Sequence, residues 1–545
     1  MVITQNSAMR SLFYFAVYII ILTCSCSVAK TGADLQRLAN KGAARTISIK
    51  KDIDLKGEFL SLPKGSTLKF KGGSISNGKI VLKSTRLKGT PSFKNCTFSG
   101  SVIIKEIDDR NFISSDDDGT LKFLLSNAIA NGAKCVFNRD YRINMNVAPG
   151  TGLVTFNDHV SKTDIDFQGH TIYNTTPFPT PRIQSVIALR NVKDVTIRNC
   201  NFHDSDGHNS RLFQKSKGCV FVYCYGDCEQ INLLDCSQEN GDCIMRSGIF
   251  AHNEKHPENT PTVGLTNSTI RVKGLNVGYG LALYCGDNLD IDIDVANPHR
   301  GFYCTGVSNS RIVYKGYNPI ETKCHILIKD AVYKRSIRDG SYVLDMKGCH
   351  DLVIKAIVKE VLPNESIISF QSYGTGKSEG ADFTFRSDVC HHYDIDFTAE
   401  IARSPETGYY FISRYLPDNG TQGEGDMYVC KVSGIRIHDV KCLRGKARPY
   451  MCHVAKGFDT DITVEDCTVT PYNTDKNYGF DYEVKGNSTG TIHIKNSLMG
   501  NVLVRDKKVG IFDVKVEGTA VTRSVNYIND KSVRSLVRLR QYTVE

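Results

Sequence analysis

A short alternation of apolar and polar residues recurs along most of the chain. Residues 164–169 show the unit, Asp-Ile-Asp-Phe-Gln-Gly, in which two apolar residues stand two positions apart and a polar turn follows. The units at Ile270, Ile291 and Ile312 are 21 residues apart, and several later spacings are about twice that. Further units begin at Val195, Ile231, Leu352, Ile395, Ile435, Ile462 and Ile492.

This repeat predicts short strands that stack on one another. Period-2 alternation turns half of each strand inward, and strands this short bury an apolar face only by stacking on their neighbours. The Asn, Asp and Gly residues that follow each unit favour the left-handed and Asx conformations of tight corners. Asn-Gly and Asp-Gly hairpin turns are scarce, which disfavours an antiparallel sandwich. The pattern therefore predicts an all-β fold, a right-handed parallel β-helix (a solenoid), from about residue 147 to the C-terminus.

Two elements precede the repeat. Residues 46–100 predict a small β segment without a helix. The sequence from Ser114 to Thr120 is an acidic helix start, and an apolar stripe follows and ends near Asn131-Gly132. We expect this helix to cap the open end of the solenoid. The predicted domains are a β segment over 27–110 and the β-helix domain over 111–545.

The N-terminal residues 1–26 resemble a lipoprotein-type signal peptide. Arg10 is followed by an apolar run over 12–22 and then by small residues with two cysteines, Cys24 and Cys26, either of which is the predicted lipid-attachment site. The expected location is the cell envelope, in the outer membrane or periplasm, and simple secretion is the alternative. No later apolar run is long enough to span a bilayer.

Charge and cysteine content narrow the function classes. The net charge of +10 comes from Lys and Arg residues interleaved with Asp and Glu, which disfavours nucleic acid as a partner. A mildly basic surface is compatible with an anionic polysaccharide, although a solvated mixed-charge surface is the more ordinary explanation. Without Cys24 and Cys26, 17 of the 19 cysteines remain, with no paired CxxC spacing, and many fall within apolar strand patterns. We expect them to be buried apolar residues.

The helix segment carries a family resemblance. Residues 116–137, DDDGTLKFLLSNAIANGAKCVF, resemble the segment that leads into the solenoid of the pectate-lyase-like (pectin lyase fold) superfamily. That superfamily includes polysaccharide lyases, polygalacturonase-like hydrolases and phage tailspikes. The resemblance extends over about 110–520 and implies the right-handed parallel β-helix. Together with the signal and the N-terminal β segment, it is similar to exported β-helix proteins of the gut Bacteroidetes.

A second, weaker resemblance concerns the chemistry. The run Gly241-Asp242-Cys243-Ile244 resembles the central polygalacturonase motif, in which two aspartates precede the cysteine, but one of them is missing here. Arg271 and Lys273 resemble in type the basic substrate clamp of that family, at a shorter spacing than the family shows. Both are also ordinary members of the strand repeat.

The predicted catalytic residues come from the polar stretch between about 220 and 306. Aligning coils on Gly226, Gly248, Gly286 and Gly306 places Arg246 in one column with Cys224, Tyr284 and Cys304. Asp227, Asp242 and Asp287 then form a strip of acidic corners, although each also fits the role of a turn-forming residue. Paired carboxylates serve hydrolysis, whereas a basic residue such as Arg or Lys serves elimination from a uronic acid. A carboxylate strip is also a ligand type for Ca²⁺, so calcium is the one cofactor considered.

The predicted substrate-binding residues lie in and beside the same stretch. They are His299, Arg300, Tyr284, Tyr303, Arg271 and Lys273. The His-Arg pair suits a carboxylate or sulfate, and the tyrosines suit sugar rings because the chain has no Trp. The polar insertion over 250–266 is predicted to form a cleft wall or a lid.

Three functions remain open. The first is an exported polysaccharide-active enzyme, a glycoside hydrolase acting on an acidic polysaccharide. The second is a polysaccharide lyase with an Arg or Lys base, with or without Ca²⁺. The third is a non-catalytic glycan-binding or adhesin-like surface lipoprotein. Convergence of the predicted catalytic and binding side chains in one cleft would favour an enzyme. The expected partner is a polysaccharide or oligosaccharide, and the pattern leaves the sugar and the oligomeric state open.

Overall fold

The structure is a computed structural model that describes residues 26–145, 151–176, 184–205, 218–248 and 264–296 and, with gaps, parts of 298–544. Contacts divide the chain into two units. The first comprises Met1–Asn144, Val160–Tyr173 and Val195–Cys200, and the second comprises Met145–His159, Asn174–Asp194 and Asn201–Glu545. Parallel strands dominate both units, which confirms the predicted parallel β-helix class.

The first part of the chain contains two α-helices, α1 (Gly32–Ala39) and α2 (Asp117–Asn131), and a short 3-10 helix (Asp109–Asn111). Its strands are β1 (Cys26–Ala29), β2 (Thr46–Ile49), β3 (Ile53–Asp54), β4 (Phe59–Ser61), β5 (Thr67–Phe70), β6 (Ile75–Lys88), β7 (Phe93–Ile103), β8 (Glu106–Asp108), β9 (Lys134–Val136) and β10 (Tyr141–Ile143).

The N-terminal strands are themselves coiled with a regular step. Cys26 pairs in parallel with Thr46, Thr46 with Thr67, and Thr67 with Arg86. Each step is therefore about 20 residues, the length of one solenoid coil. The alternation over 46–100 predicted strands but did not reveal this step.

Helix α2 lies where the sequence predicts it. The side chain of Asp116 accepts a hydrogen bond from the Gly119 amide at the N-terminus, and Gly132 ends the helix in the left-handed conformation. Asn127 accepts from the Val102 amide at 2.7 Å, and Asn131 donates to the Val102 carbonyl at 2.8 Å. The helix therefore satisfies backbone groups of β7 with its own side chains. That it covers the open end of the solenoid remains a prediction.

The middle of the chain contains longer strands. They are β11 (Gly152–Asp166), β12 (Thr171–Asn174), β13 (Gln184–Arg198), β14 (Asn201–His203), β15 (Cys219–Tyr225), β16 (Cys228–Glu239), β17 (Cys243–Gly248), β18 (Leu265–Leu275), β19 (Tyr279–Ala296) and β20 (Arg300–Tyr317).

The C-terminal part adds sixteen strands among the described residues. They are β21 (Leu344–Lys347), β22 (His350–Lys359), β23 (Ser366–Gln371), β24 (His391–Ile401), β25 (Tyr409–Arg414), β26 (Val432–His438), β27 (Lys441–Cys442), β28 (Pro449–His453), β29 (Thr460–Glu465), β30 (Thr468–Val469), β31 (Phe480–Val484), β32 (Ser488–Lys495), β33 (Leu498–Asp506), β34 (Gly510–Glu517), β35 (Ala520–Asn529) and β36 (Thr543–Val544).

The repeating apolar positions of the sequence form one continuous column. Ile270 pairs with Ile291, and Ile291 pairs with Ile312. The column continues from Ile312 through Ile354, Ile395, Ile435, Ile462 and Ile492 to Val514. Ile270, Ile291 and Ile312 have no solvent exposure. In these three coils the repeat thus marks the inward face, because burial requires the same position to be apolar in every layer.

Candidate functional site

Asp242 and Arg246 form an ion pair at the start of β17. The Arg246 Nη2 to Asp242 Oδ2 distance is 2.9 Å. Asn240 and Gly241, with φ of 63° and 85°, form a corner just before Asp242. The corner places the carboxylate at the start of β17, and the Arg246 side chain reaches back to it from within the strand.

The Asp242 carboxyl group is fully buried. Its side chain is 0% exposed, and that of Arg246 is 12% exposed. Burial raises the pKa of Asp242, Arg246 opposes that rise, and the nearby Asp204 charge adds to it. Among the described residues, Asp242 Oδ1 has no hydrogen-bond partner. Asp242 is thus a carboxyl group that holds its proton more tightly than an exposed aspartate does.

The guanidinium of Arg246 lies against aromatic rings. Its Cζ atom is 5.5 Å from the centre of the Tyr279 ring. In strand register Arg246 pairs with Tyr223 on one side and with Ala282 on the other. The short side chain of Ala282 leaves room for larger neighbours. The cation is therefore enclosed by aromatic surface and retains a small solvent-exposed fraction.

Four tyrosines surround this pair of charges. The rings of Tyr223 and Tyr225 are 3.8 Å apart, and those of Tyr279 and Tyr303 are 5.9 Å apart in an edge-on arrangement. Tyr303 is only 7% exposed and packs in a cluster of buried residues with Ala282. Its ring mainly fills the core, whereas Tyr223 and Tyr279 are only partly buried at the same place.

A second buried carboxylate, Asp204, lies close to Asp242. Asp204 is 0% exposed and accepts hydrogen bonds from Asn174 Nδ2 at 2.6 Å and from the Cys219 amide at 2.7 Å. The Cys219 carbonyl in turn accepts from the Asp242 amide at 3.0 Å. Both aspartates therefore contact the backbone of one residue, which places two carboxylates at one corner of the coil.

Gln238 is hydrogen-bonded to the backbone at the same corner as these carboxylates. Its Nε2 atom donates to the Cys219 carbonyl at 3.0 Å and to the Asn240 carbonyl at 2.8 Å. Its Oε1 atom is buried and accepts no hydrogen bond from the described residues. Sequence reasoning singled out neither Asp204 nor Gln238. One signal could have identified Asp204. It directly follows the short strand β14, as Asn240 directly follows β16, and these two strands pair.

Asp227 and Asp287 do not join this site, contrary to the predicted strip. Asp242 lies beside Cys219 at the start of β15, whereas Asp227 follows the end of that strand. The two ends of β15 are six residue steps apart, or about 20 Å. Asp287 accepts hydrogen bonds at 2.7 Å from Ser308 and from Asn309. These two aspartates thus belong to a different corner, where Asp287 stabilises the turn.

The predicted column through Arg246 is also wrong. The glycine alignment placed Arg246 beside Cys224, but Cys224 pairs with Ser247, one position later. The glycines are not equivalent, because Gly226 occupies a corner with φ of 64° whereas Gly248 ends a strand. A glycine carries no side chain that fixes its place in the core, so it is a poor marker of register.

Arg271 and Lys273 lie on a different strand pair and do not form a substrate clamp with Arg246. Arg271 bridges Asp290 at 2.9 Å and Asp292 at 2.7 Å, and Arg311 bridges the same two carboxylates. Lys273 is exposed and pairs in register with Asp294. Arg271 is therefore part of a charge lattice on the outer face of β18, β19 and β20.

The other predicted residues are only partly described. Arg300 pairs in register with Tyr279, and Tyr284 pairs with Thr305. The structure describes the backbone of Arg300 and Tyr284 but not their side chains. His299, Cys24 and most of the 250–266 insertion lie outside the described residues. Cys26 begins β1. The binding and lipid-attachment roles of these residues remain predictions.

Among the described residues, no group of three or more His, Cys, Asp and Glu side chains is arranged to hold a metal ion. No helix in the described part of the chain is long and apolar enough to cross a membrane.

Comparison with known proteins yields only distant structural similarity. The chain matches no protein-family model and no curated protein. It is similar to a tailspike double mutant of E. coli bacteriophage HK620 in complex with a pentasaccharide, with a TM-score of 0.24, 12% identity and coverage of 91% of this chain and 74% of that chain. It is also similar to the family 28 exopolygalacturonase of Yersinia enterocolitica, with a TM-score of 0.18, 9% identity and coverage of 94% and 79%. These scores are too low to establish a shared activity.

Proposed function

We propose that the protein is a polysaccharide-active enzyme, a glycoside hydrolase that acts on an acidic polysaccharide. The observation that carries the proposal is the buried Asp242–Arg246 pair with Asp204 beside it. Glycoside hydrolysis needs one protonated and one ionised carboxyl group near the scissile bond. Two carboxylates in unequal surroundings at one corner are the arrangement from which such a division of roles arises.

Asp242 is the proposed proton donor. Its burial favours the neutral carboxylic acid, which is the form that gives a proton to the leaving oxygen. Asp204, which accepts two strong hydrogen bonds, is the proposed second carboxylate. The role of Asp204 replaces those predicted for Asp227 and Asp287, which lie at another corner.

Arg246 is the proposed contact for the acidic group of the substrate. Its side chain covers Asp242, and it is the one of the two that reaches solvent. A substrate carboxylate or sulfate would compete with Asp242 for the guanidinium and so expose the Asp242 carboxyl group to the sugar. In this proposal, binding of an acidic substrate to Arg246 is what frees the Asp242 carboxyl group to donate its proton. The partly buried rings of Tyr223 and Tyr279 would hold the sugar.

The decisive experiment is a screen of purified protein against pectic, alginate-type, glycosaminoglycan and sulfated galactan substrates. Hydrolysis releases reducing ends, whereas elimination also produces an unsaturated uronate that absorbs in the ultraviolet. We expect reducing ends without ultraviolet absorbance. Asp242→Asn and Asp204→Asn should each lower the rate by roughly 10²–10⁴-fold.

Asp290→Asn is the matched control, because Asp290 is a carboxylate in the outer charge lattice and should leave the rate unchanged. Full activity in both Asp242→Asn and Asp204→Asn would refute their proposed catalytic roles and would require a different active site. An ultraviolet-absorbing product would instead identify the chain as a lyase.

A non-catalytic glycan-binding role is the second candidate. The complete burial of Asp242 behind Arg246 favours it, since a carboxyl group that never leaves that pair cannot reach a substrate. Saturable binding of one polysaccharide without release of reducing ends would establish this role. Tyr223→Ala and Tyr279→Ala should then weaken binding, while Asp204→Asn should not.

The proposed function also requires that the N-terminal segment directs export of the protein. We propose that Cys26 or Cys24 receives the lipid and that the protein is held in the cell envelope. Metabolic labelling with a radioactive fatty acid tests this. Loss of label in Cys26→Ser or Cys24→Ser would identify the attachment site, and an unlabelled secreted protein would contradict the anchor.

A further inference from the structure

Two buried cysteine side chains lie on either side of the corner between β15 and β16. Cys224 is 1% exposed and Cys228 is 0% exposed. Residues four apart in an extended strand would be separated by about 13 Å. Here Gly226, with φ of 64°, turns the chain between them. The corner therefore folds the second cysteine back towards the first.

The sulfur of Cys228 lies over the strand pair that contains Cys224. Its Sγ atom is 3.5 Å from the Leu189 carbonyl oxygen and 3.4 Å from the Tyr225 carbonyl oxygen. Leu189 is the residue that pairs with Cys224 in the adjacent strand. Each thiol also shifts the pKa of the other, that of Cys224 upward and that of Cys228 downward, because the two side chains interact directly. These contacts bring the two sulfurs together inside one coil.

We propose that Cys224 and Cys228 form an intrachain disulfide when the protein is exported. The proposal rests on the export that the N-terminal segment predicts, and it is independent of the hydrolase assignment. Disulfides persist in oxidising compartments such as the bacterial periplasm. The bond closes the corner formed by Tyr225, Gly226 and Asp227.

The oxidation is a thiol–disulfide exchange with a dithiol oxidase or oxidised glutathione. One of the two thiolates attacks the disulfide of the oxidant and releases one thiol, and the other thiolate then displaces the second. Two protein thiols become one disulfide, and the disulfide of the oxidant becomes two thiols. Because both thiols are buried in the folded coil, the exchange takes place before the coil closes.

The bond would stabilise one side of the candidate site. Tyr225 lies within the closed loop, and its ring is 3.8 Å from that of Tyr223. A Cβ atom at Gly226 would collide with the Asn191 side-chain oxygen, so the corner has little space to rearrange. A covalent link across it fixes the strand end that carries both rings, of which Tyr225 is buried.

Peptide mapping of the exported protein tests the link. The full chain is produced with its own N-terminal segment in a Gram-negative host, and the envelope fraction is denatured in guanidinium with N-ethylmaleimide. A protease that cleaves before Asp227 separates the two cysteines. We expect the two resulting fragments to remain joined until reductant is added. Cys219, a buried cysteine at the start of the same strand, is the internal control and should carry the maleimide.

Maleimide on both Cys224 and Cys228 in envelope protein would overturn the proposal, and so would a link from either residue to Cys219. Absence of the protein from the envelope would remove the premise and overturn it as well. In unfolding experiments, reductant should lower the denaturation midpoint of the wild type and leave that of Cys224→Ala/Cys228→Ala unchanged. Equal sensitivity of both proteins to reductant would contradict the bond.

Discussion

Removal of the Arg246 charge should destabilise the protein far more than removal of a comparable arginine elsewhere. In Arg246→Gln the Asp242 carboxylate, which is 0% exposed, loses its ion-pair partner at 2.9 Å. Unit charges about 4 Å apart attract by about 4 kcal/mol at an effective dielectric of about 20. Removal of one partner of a buried pair typically costs about 3–5 kcal/mol. We therefore expect a loss of about 3–4 kcal/mol in unfolding free energy near neutral pH.

The double variant separates the pair from general disruption. In Asp242→Asn/Arg246→Gln neither charge of the pair remains, so about 2 kcal/mol or more of the loss should be recovered. In Arg246→Gln, lowering the pH should restore unfolding free energy, as the added Asp242→Asn substitution does. Without Arg246 the pKa of Asp242 rises further, and its protonation removes the unpaired charge. The cost of Arg246→Gln should accordingly shrink as the pH falls.

The assay is urea-induced unfolding of the full chain, followed by circular dichroism at several pH values. Arg271→Gln is the matched control, because Arg271 is 38% exposed and its ion pairs with Asp290 and Asp292 are screened by solvent. It should cost about 0–1 kcal/mol. Equal losses for the two arginine variants, or strictly additive losses in the double variant, would refute the idea that the Asp242–Arg246 pair is a coupled buried unit.

Three further predictions concern local structure. Asn127→Ala leaves the Val102 amide buried without its partner and should cost about 1–3 kcal/mol in urea unfolding, so an unchanged midpoint would contradict the edge contact of α2. Gly241→Ala should lower the melting temperature more than Gly42→Ala, because both have positive φ but only at Gly241 would the new Cβ lie near another side chain, 2.6 Å from Asp204 Oδ2; equal shifts would argue against that crowding. Because the pKa of Asp242 is raised in the folded state, the wild type should lose stability relative to Asp242→Asn as the pH rises above the unfolded value of 3.8, and a pH-independent difference would refute the raised pKa.

The fold was predictable because its signal is local and repeated. Ile270, Ile291 and Ile312 are identifiable as a repeat from spacing alone, and they stack on one another. Where a coil carries an insertion, the repeat position that spacing predicts is two residues away from the residue that stacks. The sequence unit began at Leu352, but the stacked residue is Ile354. Either position satisfies period-2 alternation, so only the actual pairing decides between them.

The candidate site was predictable only in part. Asp242 and Arg246 are close in sequence and were both singled out, although the sequence did not reveal that they form an ion pair. Asp204 reaches the site from a coil 38 residues earlier, and no local pattern distinguishes it from other corner aspartates. The pairing of Arg271 with two aspartates likewise required the register of three strands.

The 20-residue step between Cys26, Thr46 and Thr67 gives the N-terminal part a natural unit of insertion and deletion. Loss of residues 46–66 would bring Thr67 opposite Cys26, in the place that Thr46 now holds, with every inward side chain still inward. Loss of a single residue would instead turn the following strand inside out. Along this stretch, evolution can therefore lengthen or shorten the protein by duplicating or losing whole coils, while changes of other sizes are confined to the corners.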